Sequence, residues 1–331
     1  LADRRAGDGC EVLILDSLAR PGVERNLRWL MLRRPGQIRH VHADLRQAEA
    51  VERAAAGVDA VFHLAAQVAV TTSLADPRAD FEVNLTGTLN VLEAARARST
   101  PVIFASTNKV YGDLADVRLR EADDGWRPTD RRLRDHGVSE DRPLDFHTPY
   151  GCSKGAADQY VLDYARSFRL PAAVLRMSCV YGPRQMGTED QGWVAHFLIQ
   201  TLAGRPITLF GDGRQVRDIL HVADAVEAYV QAWRRIERIS GSAFNLGGGP
   251  ANAVSLLQLI AEIETATGRA ADIGFEPWRA GDQKWFVADA SRARAALGLG
   301  QARPWREGLR DLCEWLTQAH DGVRSIDTVA A

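Results

Sequence analysis

Val102–Gly112 reads VIFASTNKVYG, and Leu144–Arg166 reads LDFHTPYGCSKGAADQYVLDYAR. The first stretch opens on a short unbroken apolar run, Val102–Ser106, which predicts a strand covered on both faces. Working outward, comparable runs recur at Glu11–Asp16 (EVLILD), Ile38–Asp44, Asp59–Ala65 (DAVFHLA) and Ala172–Met177, with amphipathic helical patterns between them. Strand–helix–strand spacing of this kind predicts an α/β fold built on a doubly wound, parallel Rossmann sheet. Between Gly112 and Thr148 the chain turns polar and loses any period, which predicts an extended surface excursion lining a cleft. After Gln191 the pattern predicts a helix, a strand Ile207–Phe210, a turn at Gly211–Gly213, a helix from Val222, a strand Ala243–Leu246, and helices near 255–266 and 304–319. The expected division is a Rossmann domain over residues 1–178 and a smaller substrate lobe over 179–331, with part of 214–248 returning to the first.

Tyr150 and Lys154 stand four apart at the start of a helical stretch, so their side chains share one face. An ammonium beside the phenol favours the phenolate and is expected to lower its pKa from about 10 toward neutrality. Tyr150 is then a candidate general base. Thr107 falls at the C-terminal end of strand Val102–Ser106, where open α/β sheets place their chemistry, and is a candidate for holding the reacting hydroxyl. A tyrosine–lysine pair at this spacing is weak evidence alone, and its combination with Thr107 at a strand end makes the signal specific. Only three of the 41 basic residues are lysines, Lys109, Lys154 and Lys284, and two of them lie in these motifs.

The 41 basic and 43 acidic residues nearly cancel, leaving no field to hold nucleic acid or an anionic membrane. Small polar ligands are expected instead. Cys10, Cys152, Cys179 and Cys313 contain no C-x-x-C pair, which fits reduced thiols in a cytoplasmic protein and neither a disulfide frame nor a metal site. No stretch approaches the roughly 20 apolar residues of a membrane span. A dinucleotide fold opens with a strand, a glycine-rich turn, a helix and a second strand ending in an acid about 20 residues after the glycines. Asp16 ends the first apolar strand here, so the expected glycine turn falls upstream of Leu1 and the sequence is expected to start inside the first helix, as a truncated version of the fold. A natural short form is the rival reading. Gly247-Gly248-Gly249-Pro250 reads as a turn rather than a phosphate cradle.

Together STNKVYG at Ser106–Gly112 and PYGCSK at Pro149–Lys154 resemble the extended short-chain dehydrogenase/reductase superfamily, in which a Ser/Thr, a Tyr and a Lys form the active site. From Glu11 to about Trp315 the chain is similar to the CDP-tyvelose (CDP-paratose) 2-epimerases of that superfamily. The similarity is carried by DSLAR at Asp16–Arg20, NLRWL at Asn26–Leu30, HLAAQVA at His63–Ala69, YGPRQ at Tyr181–Gln185, DQGWV at Asp190–Val194 and QVRDILH at Gln215–His221. The resemblance implies NAD as cofactor, with Asp16, Ser17 and Arg20 near the adenosine ribose, Asp44 and Leu45 flanking the adenine, and Ala65, Ala66, Gln67, Asn84, Tyr150 and Lys154 approaching the rest. It places Asn108, Ser178, Arg184, Gln185, Gln191 and Trp193 on the substrate side, with Arg217 and Arg279 gripping the diphosphate of a CDP-sugar.

Physical chemistry supports some of these roles separately. A carboxylate at Asp16 accepts both ribose hydroxyls and repels a 2′-phosphate, favouring NAD, although Arg20 four residues on weakens that inference. The arginine fork suits a diphosphate, yet in so arginine-rich a chain any one arginine is as readily a solvated surface group. Trp193 is open between stacking on a base and core packing. His63 and His221 read as structural.

Nucleotide-sugar 4,6-dehydratases resemble this chain too, but carry an Asp-Glu pair directly after the threonine. Here Asn108-Lys109 occupies those positions, and neither an amide nor an ammonium readily delivers and removes the protons of an elimination. Epimerisation needs only a hydroxyl proton taken by Tyr150 and a hydride that leaves and returns, with no net redox change. UDP-sugar 4-epimerases usually have an asparagine where Cys179 stands, which argues against that activity without establishing CDP. Another nucleotide-sugar epimerase therefore stays open, as does a non-catalytic relative kept as a binding module, against which the joint retention of Thr107, Tyr150 and Lys154 weighs. Helices near 84–97 and 150–167 carry apolar positions on more than one face, which suits a homodimer or homotetramer joined through a helix bundle.

Overall fold

The computed structural model describes residues 1–329, with side chains through Gln318. Its strands, in chain order, are β1 (Val12–Asp16), β2 (Ile38–His42), β3 (Val61–His63), β4 (Val102–Thr107), β5 (Leu119–Ala122), β6 (Gly125–Pro128), β7 (Ala172–Met177), β8 (Cys179–Tyr181), β9 (Ile207–Phe210), β10 (Val216–His221), β11 (Ser242–Leu246), β12 (Ala253–Ser255), β13 (Ile273–Glu276) and β14 (Trp285–Phe286).

The central sheet has the order β11-β7-β4-β3, parallel throughout, with Val102 of β4 opposite both Val61 of β3 and Ala172 of β7. Every residue of β4 is buried, because helices cover both faces. On one side Phe104 and Val174 pack against Leu92 and Ala95 of helix Gly87–Arg96 and Val161 and Tyr164 of helix Thr148–Phe168. On the other, Ile103 and Leu175 meet Ala228 and Tyr229 of helix Val222–Arg234 and Ala293 and Leu297 of helix Ser291–Leu297. Continuous apolar runs are what such a doubly covered strand requires.

The helix Ala2–Gly7 leads into β1, and β1 pairs in parallel with β2, Val12 opposite Ile38. This pair does not join β3, so the expected sheet is present as two separate parallel pieces. All five residues of β1 are only half-buried. What ties the pieces together is side-chain packing, with Leu15 of β1 and Val61 of β3 against Leu45, Val51, Val91 and Ala94.

In the C-terminal half, β10 pairs with β8, β12 and β14, and β9 pairs with β13. Leu198, Ile207, Leu209, Ile219, Leu259, Ile263, Leu309 and Leu312 form its core, brought together by helices Trp193–Ala203, Leu256–Thr267 and Trp305–Val329. Ser255 and Gln258 form a reciprocal capping box that starts the second of these helices.

The polar excursion from Gly112 to Thr148 is more regular than its sequence suggests. It holds the antiparallel hairpin β5–β6 and a helix, Arg131–His136, capped by the Asp130 side chain. Leu119, Trp126 and Leu133 bury themselves against a cluster containing Tyr111, Val216 and Phe286. Gly125, with φ of 137°, fits the hairpin against β10, where a Cβ would lie 2.7 Å from Val216 Cγ2.

Candidate active site

Strand β4 ends at Thr107, whose hydroxyl accepts from the Lys109 amide at 3.2 Å and so starts the 3₁₀ turn Asn108–Tyr111. Helix Thr148–Phe168 begins against that turn, with Pro149 in its first turn and Gly151 approaching the Lys109 carbonyl. The Tyr150 amide is held by the Ser73 hydroxyl at 3.2 Å. Thr148 enters the helix with φ of 62°, a costly conformation for a β-branched residue, placed directly beside the candidate base.

Thr107, Tyr150 and Lys154 converge here, at 7%, 8% and 3% exposure. Burial pushes the Tyr150 phenol up to about 12, with the charge of Asp80 adding and a hydrogen bond with Thr107 opposing. Burial likewise pulls Lys154 down to about 7, against the favourable charges of Asp158 and Asp80. The expected lowering of the Tyr150 pKa therefore does not occur in the protein alone. Desolvation acts on both partners and favours the neutral form of each, so the ammonium meant to lower the phenol is itself discouraged. His63 is held neutral, at about 3, by burial and then by Lys154, and its Nε2 lies 2.9 Å from the Thr88 hydroxyl. His221 caps helix Val222–Arg234 through the Ala223 amide.

Two buried networks support this cluster. Asp80 accepts from Gln67 Nε2 at 2.7 Å, Asn84 Nδ2 at 3.1 Å and Ser153 Oγ at 2.5 Å. Asn84 also accepts from the Gln67 amide at 2.9 Å. It lies on a π-helical turn, Glu82–Thr86, a local widening often found at functional sites. This knot ties the loop after β3 to the helix between Tyr150 and Lys154. One turn further on, Asp158 receives Arg176 Nε and Nη2, both at 2.9 Å, and Ser106 Oγ at 2.7 Å. Arg176 then donates to Tyr111, which donates to Asn245. Neither Asp80, Ser153 nor the Asp158–Arg176 pair was singled out from sequence. The signal for the first knot was two polar residues, Asp80 and Asn84, four apart and so on one helix face.

Asp16 stands at the end of β1, its Oδ1 accepting from the Leu18 amide at 2.7 Å, with Ser17 half-buried beside it. Arg20 instead donates to the Met186 carbonyl at 2.9 Å. Asp44 pairs with Arg46 at 2.8 Å, which lowers its pKa. Leu45 is buried, its carbonyl accepting from Asn90, and Ala65 and Ala66 are half-buried in the loop after β3.

On the substrate side, Asn108 Oδ1 lies 3.4 Å from the Thr107 hydroxyl and Ser178 donates to the Asp218 carbonyl at 3.0 Å. Trp193 donates to Cys179 Sγ at 3.3 Å and packs edge-on against Phe197, a core contact. Gln185 and Gln191 each bury a side-chain oxygen without a partner among the described residues. Arg184 stacks on Trp29 at 3.5 Å. Arg279 lies over Phe210 and pairs with Glu189 and Asp190. Arg217 is 8% exposed and forms no ion pair among the described residues. Asp113, Asp145 and His147 approach within 4.8 Å of one another at the surface, two of the three exposed.

The profile of the NAD dependent epimerase/dehydratase family matches residues 1–247. The chain belongs to that family. It is 40% identical over 324 residues to a CDP-paratose 2-epimerase of Salmonella typhi, covering 95% of this chain and 94% of that protein. A UDP-glucose 4-epimerase of Mycolicibacterium smegmatis is 32% identical over 95% of this chain and 93% of its own. Among solved structures, the UDP-glucose 4-epimerase of Thermus thermophilus in complex with NAD superposes with a TM-score of 0.78 at 31% identity, covering 95% of this chain and 93% of that one.

Two polar groups of the cluster and of β1 have capacity that no protein group among the described residues uses. Lys154 Nζ lies 4.1 Å from the centroid of the Phe104 ring and has no hydrogen-bond acceptor among the described residues. A buried ammonium in that state lacks the partners its desolvation calls for. Asp16 Oδ2 likewise has no protein donor among the described residues. An acceptor for ribose hydroxyls and a donor toward them fit a dinucleotide.

Proposed function

We propose that this chain is an NAD-dependent epimerase that inverts carbon 2 of CDP-paratose. The observation that carries the reading is the buried convergence of Thr107, Tyr150 and Lys154 at the end of β4, followed by Asn108-Lys109 in place of an acidic pair. The similarity to the Salmonella typhi enzyme supports the sugar, the nucleotide and the position on the ring.

In this reading Asp16 accepts the adenosine ribose hydroxyls with Ser17 and Arg20 beside it, Asp44 and Leu45 flank the base, and Ala65, Ala66, Gln67 and Asn84 line the path toward Lys154. Bound NAD would supply the acceptor and donor of hydride at the sugar carbon. Thr107 orients the reacting hydroxyl, and the Tyr150 phenol oxygen takes its proton and later gives it back. Lys154 must be charged to favour the phenolate. Acceptors brought by the ligands restore part of its lost solvation, which raises its pKa from about 7 and lowers that of Tyr150. The two titrations then approach each other and the operating pH.

For the substrate, Arg217 is the diphosphate contact best supported here, since it is buried with no counter-charge among the described residues. Arg279 would join it by exchanging Glu189 and Asp190 for phosphate, and Arg184 by leaving Trp29. Asn108, Ser178, Gln185, Gln191 and Trp193 would complete the pocket. Residues 1–178 would hold the cofactor and 179–331 mainly the substrate. We further propose a homodimer or homotetramer through the helices near 84–97 and 150–167, where Tyr160 and Phe168 are exposed, and a cytoplasmic location. No helix among the described residues is long and apolar enough to cross a membrane.

The test is NMR of CDP-paratose incubated with the purified protein without added cofactor, alongside mass spectrometry for bound NAD. Appearance of CDP-tyvelose is expected. Conversion of UDP-glucose to UDP-galactose instead would move the reaction to carbon 4, and absence of both NAD and turnover would leave a binding module.

A further inference from the structure

Lys109 lies two residues beyond Thr107, on the 3₁₀ turn at the end of β4, and the mechanism above leaves it without a task. Its Nζ donates to the Gly281 carbonyl at 3.1 Å, which uses one of the three donors of an ammonium. Arg217, on β10, has the Val216 carbonyl at 2.8 Å as its protein acceptor, leaving most of its five donors free. Neither cation forms an ion pair among the described residues. The segment after Gly281 joins them, since β14 follows that glycine, the Val216 amide donates to the Lys284 carbonyl at 3.0 Å and Phe286 is the parallel partner of Arg217. The charge of Arg217 adds to burial in lowering Lys109 to about 8, against Asp282, Cys179 and Asp113.

Two neighbouring cations, Arg217 buried and Lys109 half-buried, neither held in an ion pair among the described residues, form an arrangement that an entering anion would stabilise. A chain that uses arginine almost everywhere has a compact point charge on the turn that follows Thr107 and a planar fork on β10. We propose that Lys109 and Arg217 jointly bind the phosphate that links the sugar to the nucleotide, which makes Lys109 a specificity-determining contact. This rests on the nucleotide-sugar reading. A carboxylate at position 109 would set a negative charge against that phosphate, so the lysine also separates this pocket electrostatically from one carrying an acid there.

The experiment is calorimetric titration of the NAD-loaded protein with CDP and with CMP, and in parallel with UDP and UMP, for wild type, Lys109→Met, Lys109→Arg and Arg217→Met. Lys109→Met is expected to weaken CDP by about tenfold or more, the loss of one charge-assisted hydrogen bond, while CMP changes by less than about twofold. Lys109→Arg restores most of the CDP affinity. Wild-type CDP affinity falls as the pH rises through about 8, because the charged form of Lys109 is lost there, and the arginine variant is flat across that range. Equal losses for CDP and CMP, or CDP binding by Lys109→Met within about twofold of wild type, would overturn the proposal. If wild type prefers UDP, the cytidine assignment fails, and the UDP–UMP comparison decides the phosphate pair independently. Should the methionine variant not fold, the arginine variant and the pH dependence still decide it.

Discussion

Replacing Asp158 by asparagine would keep the shape of a fully buried side chain and remove the charge that balances Arg176, itself 5% exposed. The carboxylate now accepts two bonds from Arg176 at 2.9 Å, one from Ser106 at 2.7 Å and one from Gln159 Nε2 at 2.9 Å. An amide keeps one acceptor and turns an N–H group toward a donor. Breaking one side of a buried pair costs about 3–5 kcal/mol, chiefly through the charge left unpaired. With an unfolding entropy of about 2.1 cal/mol/K per residue, a chain of this length loses roughly 4–7 °C in Tm. Scanning calorimetry at neutral pH measures it. The double variant Asp158→Asn/Arg176→Met leaves no orphan charge and is expected to regain most of the loss. Asp158 is also the larger of the two charges favouring protonated Lys154, so the single variant should lose activity at lower pH than wild type does. A fall in Tm below about 1 °C, or a double variant no more stable than the single, would show that the pair does not carry this energy.

Tyr150→Phe should leave Tm and NAD content unchanged and lower kcat by at least about a hundredfold; near-normal turnover would remove Tyr150 from the proton transfer. Lys154→Met should abolish turnover yet raise the Tm of the ligand-free protein at mildly acid pH. Folded Lys154 titrates near 7 against 10.5 in the unfolded chain, so below about 7 both states hold the proton and the native state bears a buried charge. Between those values only the unfolded chain is protonated, and wild-type stability rises with pH. Melting curves across pH check this, and an unchanged Tm in acid would refute it. In hydrogen exchange without NAD, amides of β1 and β2 should exchange faster than those of β4 and β7, since β1 is half-buried and β4 wholly buried. NAD should slow the first pair, and equal protection throughout would contradict the weak join between the two sheet pieces.

Strands β4 and β7 were legible because burial on both faces leaves nothing but apolar residues to write them with. Strand β10 was not, although all six of its residues are buried. Its sequence, VRDILH, contains three polar side chains whose partners the pattern does not reveal. Arg217 donates to the Val216 carbonyl, Asp218 receives the Gly249 amide, and His221 caps the next helix. The hairpin β5–β6 was hidden similarly, since the partner that places Trp126 is Asp212, 86 positions away. At the site, the spacing of Tyr150 and Lys154 could be read directly, whereas their charge states could not. Spacing fixes which face they share, but the direction of each shift depends on how much water the surrounding elements remove.

The same desolvation that disfavours charge on Tyr150 and Lys154 leaves Lys109 and Arg217 as positive groups with no counter-ion among the described residues, and the two facts are linked through the proposed ligand. A nucleotide sugar brings negative charge to the Arg217 side and hydroxyl groups to the Thr107 side. The first offsets the repulsion that now opposes protonation of Lys109, and the acceptors brought with the cofactor offset the burial that opposes protonation of Lys154. In this reading binding energy is directed at Lys109, which holds the phosphate, and at Lys154, whose charge the proton transfer needs, while burial by itself opposes charge on Tyr150 and Lys154. Asp80 and Asp158 hold the helix that carries both residues through the protein's own networks, so in this reading the fold supplies the geometry and the ligands supply the remaining electrostatics.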